Sequence, residues 1–107
     1  MAREEAVRSL VHFDQPLDVL RRALHTCAWD WEGPPTVTLR VTNVLHVVQL
    51  YLKGELNSTD VEEWANLIEG RDDVGFEPKV KEAIFDLANP ILQGSLRKVV
   101  PALLARL

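Results

Sequence analysis

The sequence predicts an all-α fold: a compact bundle of four to five short helices in one domain spanning residues 1–107. Three observations carry that prediction. Apolar residues recur at helical spacing in one segment after another, Gly and Pro stops separate the segments by only a few residues, and no segment alternates cleanly beside a hairpin turn. With 107 residues, 47% of them hydrophobic and 26% charged, the chain can bury one real core and has ordinary globular composition.

The first stretch, Ala2 to Phe13, carries Val7, Leu10 and Val11. It is too short to decide between a helical turn or two and a short strand, and order within residues 1–13 stays open. Asp14 then offers an N-cap and Pro16 sits where a missing N–H costs nothing. Leu17, Leu20, Leu24, Cys27 and Ala28 follow at helical spacing, so a helix is expected over about 15–28. Trp29 and Trp31 flank the Gly33-Pro34-Pro35 stop, where at least one ring should be partly exposed.

The third segment, from about Thr38 to Lys53, places Thr42, His46, Gln49 and Lys53 on a narrow polar strip. Val41, Val44, Leu45, Val47, Val48, Tyr51 and Leu52 form a broad apolar arc, which marks a central helix; Val and Thr also admit a strand, but length and strip favour the helix. Leu39 and Leu50 project from its far side, and Gly54 supplies a left-handed end. Thr59 and Glu62 read as a capping box opening a helix over 60–69 that Gly70 closes, with Val61, Trp64, Ala65 and Ile68 inward. Pro78 opens the next helix, whose stripe is Val80, Ala83, Ile84, Leu87 and Ala88, and Asn89-Pro90 ends it. Ser95 caps the last, with Leu96, Val99, Val100, Leu103 and Leu107 apolar; Pro101 predicts a kink or a late start.

Templates for catalysis fail. The five glycines are isolated, so neither phosphate-cradling nor dinucleotide-binding loops exist. His25 and Cys27 point to opposite sides of a helix and cannot form a nucleophile–base pair. His12, His25 and His46 lack metal-ligand spacing, and the segment Arg71 to Glu77 lacks the alternation of a calcium loop. No cofactor or metal is expected, and the protein is read as a non-enzyme. The single cysteine excludes an intrachain disulfide, no apolar run nears the ~18 residues of a membrane span, and MAREEAVRSL is acidic where a secretion signal is basic. The expectation is a soluble cytoplasmic protein with no membrane partner.

Charge is the most informative feature. The formal net charge of −4 hides a stretch holding Glu55, Asp60, Glu62, Glu63, Glu69, Asp72, Asp73 and Glu77 against Arg71 alone, or −7, while the rest carries +3. Such a field repels nucleic acid and steers a basic partner. Acids near the start of a capped helix also stabilise that helix, which accounts for Asp60 and Glu62. Asp72 and Asp73, past the Gly70 stop, read as exposed and free to bind.

The runs Tyr51-Leu52-Lys53-Gly54-Glu55-Leu56, Trp64-Ala65, Ile68-Glu69-Gly70-Arg71-Asp72-Asp73 and Leu87-Ala88-Asn89-Pro90 resemble small uncharacterised bacterial helical proteins. They are also similar to acidic helical immunity proteins, which neutralise bacterial toxins such as colicins and contact-dependent inhibition toxins. The resemblance covers about the second half of the chain and includes no catalytic motif. It implies a binding protein whose acidic side chains occupy the active site or groove of a basic toxin. The sequence therefore predicts a partner-binding surface made of the eight carboxylates of residues 55–77. The alternative is a self-associating adaptor or regulatory subunit, a homodimer in which Leu39 and Leu50 pack against a second chain rather than against a fifth helix of their own.

Overall fold

Ala6, Val7, Leu10 and Val11 lie on one side of a helix, and all four are fully buried in α1, Arg3–His12. The stretch that local pattern left open between helix and strand is thus a core helix. The computed structural model describes residues 3–25 and 33–107. Helix α2 spans Leu17–His25, with Leu20 and Leu24 inward. The expected continuation to residue 28, the apolar placement of Cys27 and the Trp29–Trp31 loop lie outside the described residues.

After the prolines the chain departs from all-α. Strand β1, Val37–Leu39, pairs in parallel with β2, Val74–Phe76, in the register Val37↔Val74, Thr38↔Gly75 and Leu39↔Phe76. Between them run α3, Val41–Leu52, and α4, Ser58–Ile68, so a two-helix crossover returns the chain to the same sheet. Thr36 N donates to the Asp73 carbonyl at 2.9 Å and Glu77 N to the Leu39 carbonyl at 3.2 Å, extending the ladder at both ends. Gly75 lets the strands close under the proline turn: a Cβ there would meet Pro35 Cβ and Thr38 Oγ1 at 3.3 Å. Leu39, expected on the far side of the third helix, is instead a fully buried strand residue.

Helix α5, Val80–Ala88, leads through a 3₁₀ turn at Pro90–Gln93 into α6, Leu96–Arg106. Among the described residues, six α-helices, that turn and a two-strand sheet stand where four to five helices were expected; these residues are mostly helical around one core. Helix α6 begins at Leu96, directly after Ser95, and continues across Pro101 at its sixth position, so the late start does not occur. Gly54 and Gly70 adopt φ of +80° and +82°, the left-handed geometry expected just past α3 and α4.

Trp64 is fully buried, and its indole Nε1 donates to the Leu10 carbonyl at 2.7 Å. A large apolar ring on α4 thus satisfies its one polar atom on the last turns of α1. Val44, Val47 and Val48 of α3, Ile84 and Leu87 of α5 and Leu103 of α6 complete the core.

Candidate functional site

The eight carboxylates of 55–77 have different tasks. Asp60 belongs to a capping box, but with Asn57: Asp60 N donates to Asn57 Oδ1 at 2.8 Å and Asn57 N donates to Asp60 Oδ2 at 3.0 Å. This corrects the Thr59/Glu62 box. Two overlapping frames compete in Asn57-Ser58-Thr59-Asp60; Asn57, among the strongest N-cap residue types, takes the extended cap position (φ −93°, ψ 176°), leaving Thr59 inside the first turn. Glu62 is thereby released from any capping duty.

Asp73 is the opposite correction. It is 0% exposed, not a free surface carboxylate. Arg71 Nε and Nη2 donate to its two oxygens at 2.9 and 3.0 Å, and Arg3 Nη1 donates to Oδ2 at 2.7 Å. Arg71 is itself buried, so this is a desolvated cluster tying α1 to the loop before β2. Burial pushes the Asp73 carboxyl upward, but the hydrogen bonds and charges of Arg71 and Arg3 outweigh it and hold the group below its ordinary value of 3.8. Its backbone carbonyl also accepts from Thr36 N and Thr36 Oγ1. The cluster fixes the strand pair.

Glu77 faces backward, with Oε1 accepting from Val41 N at 2.8 Å at the start of α3. A carboxylate there satisfies an orphan donor and opposes the positive helix end. Glu69 accepts from Asn89 Nδ2 at 3.3 Å. Five of the eight, counting Asp60 and an ion pair of Glu63, therefore have partners within the chain. The carboxylates of Glu55, Glu62 and Asp72 make no hydrogen bond or ion pair among the described residues, and Glu55 and Asp72 are exposed.

Glu62 and Glu63 line an open depression of about 510 Å³ on the outer side of α4, together with Thr59, Asn66 and half-buried Leu67. Arg21 of α2 reaches Glu63, with Nε 2.7 Å from Oε1 and Nη2 on the same oxygen. Neither Arg21 nor Arg3 stood out in the sequence, because their partners lie 42 and 70 positions away. The depression thus offers one uncommitted carboxylate, one carboxylate already engaging a guanidinium, neutral polar groups and an apolar floor. Such a lining suits the stem and head of a lysine or arginine.

No group of three or more His, Cys, Asp or Glu side chains among the described residues could hold a metal ion. Among those residues no helix is long and apolar enough to cross a membrane. No protein-family model, curated protein or solved structure matches the chain.

Proposed function

We propose that the protein is a non-enzymatic binding domain whose α4 face receives a basic protein, of the kind an immunity protein neutralises when it blocks a toxin. The observation that supports this reading is the depression at Glu62 and Glu63. Its charge is not consumed by capping, and Arg21 already demonstrates the geometry in which a guanidinium engages it. Glu55 at the N-terminal approach to α4 and Asp72 beyond its C-terminus extend the negative surface in sequence at both ends. Long-range steering then brings the partner in, and contact at Glu62 fixes it.

The test is direct mixing with basic toxin domains encoded beside the gene, followed by the association rate at several salt concentrations. Salt-sensitive binding that weakens in Glu62→Lys supports the reading. Absence of binding to every such domain, or binding indifferent to both salt and Glu62, refutes it.

A further inference from the structure

The acidic stretch has a counterpart. From Gly33 to Gly54 and again from Leu87 to Leu107 the chain contains no Asp or Glu. These two segments meet in space: Tyr51 and Leu52, at the end of α3, line a groove with Arg97, Val100 and Pro101 of α6. Beside α6 stands the 3₁₀ turn, where Ile91 is 83% and Leu92 69% exposed, while Leu52 is 59% exposed. Exposure this high on consecutive large aliphatic residues means that the turn projects from the surface. Around the apolar residues, Lys53, Arg97 and Lys98 are all exposed. Lys98 folds over Gly94, where its Nζ would lie 3.3 Å from an added Cβ, next to the turn. Glu55 is the carboxylate nearest in sequence, two residues beyond Lys53.

We propose that this face docks on an anionic lipid surface, with Ile91 and Leu92 entering the interface and Lys53, Arg97 and Lys98 meeting the headgroups. Charge complementarity selects this occupant. A second copy in a two-fold arrangement would bring two sets of these cations together, with no carboxylate from either acid-free segment to neutralise them. A negatively charged bilayer accepts both features at once, because a convex aliphatic tip needs no matching pocket in lipid and each nearby cation adds attraction. No membrane-spanning helix is required. The contact is peripheral, and one turn with three cations makes it reversible and salt-sensitive.

The experiment is sedimentation of the full chain with vesicles of phosphatidylcholine, with and without phosphatidylglycerol. The protein should pellet with the anionic vesicles, remain largely in solution with the neutral ones, and be released by salt. Ile91→Ser/Leu92→Ser and, separately, Arg97→Glu/Lys98→Glu should each lower the bound fraction at least tenfold (roughly). Every changed residue is exposed, and an unaltered circular dichroism spectrum confirms the fold. Failure to pellet with anionic vesicles overturns the proposal, as does undiminished binding by both variants. Retention of the wild type on immobilised polyglutamate without vesicle binding assigns the face to an acidic protein, and dimerisation abolished by the Ile91/Leu92 variant without vesicle binding assigns it to a second copy; both overturn it.

Discussion

Arg21 of α2 and Glu63 of α4 form an ion pair, with Nε 2.7 Å from Oε1, and Glu63 also lines the depression. The arginine side chain is 53% exposed, so solvent screens the pair and its contribution to the fold is small, about 0–1 kcal/mol. Its effect on binding is larger in principle, because Arg21 occupies the oxygen a partner's cation would use. Arg21→Ala should leave the melting temperature nearly unchanged and tighten association with a basic partner. Calorimetric titration of the variant measures this; weaker binding would show instead that Arg21 positions Glu63 for contact.

Asp72 and Asp73 should separate completely despite being neighbours. Asp73→Asn keeps the shape but removes the charge facing buried Arg71, and losing one side of a buried pair costs about 3–5 kcal/mol. Asp72→Asn, on an exposed side chain, should stay within about 0.5 kcal/mol of wild type. Urea denaturation of the two variants decides. Equal stabilities would mean that the buried cluster contributes nothing.

Acid should expose the same cluster. The folded-state value of Asp73 lies below its unfolded one, so the native chain binds fewer protons than the unfolded chain in acid. The stabilisation is therefore complete above the unfolded value and declines as pH falls through the folded one, beginning below about pH 5. Thermal melts between neutral pH and pH 3 (roughly) should show a steeper loss in wild type than in Asp73→Asn. Parallel curves would assign the acid sensitivity to other carboxylates.

Helix α4 offers a test of its own cap. Asn57→Ala should cost about 1 kcal/mol, and Thr59→Ala a few tenths at most, because only Asn57 accepts from the third helical N–H. The reverse order in chemical denaturation would restore the Thr59 frame.

What could be read in the sequence follows the range of the interactions involved. Helices α3 to α6 were visible because 3.6-residue periodicity and Gly or Pro stops are local, and Gly54 and Gly70 indeed take positive φ. The strands were not. Three residues are too few to show a period of two, and Val37 meets Val74 only through a pairing 37 positions long. Leu39 was misplaced for the same reason, read as an extension of the helix that follows it. The acidic stretch was legible as composition, but composition does not say which carboxylate is used inside the fold. Asp73 has partners on α1 and in its own loop, and Glu77 reaches back to Val41, so two expected surface charges serve the structure. Glu62, expected in a cap, is instead one of three carboxylates of the stretch, with Glu55 and Asp72, that make no hydrogen bond or ion pair among the described residues.

The central measurement is therefore the association rate of Glu62→Lys with a basic partner that the wild type binds, followed by stopped flow from low to high salt. The substitution changes a half-buried residue with no hydrogen bond or ion pair among the described residues, so helical content and melting temperature should be nearly those of wild type. If the α4 face is the docking surface, the association rate falls by roughly tenfold at low salt, and the difference from wild type narrows as salt rises. A folded Glu62→Lys protein that associates at the wild-type rate at every salt concentration would contradict it.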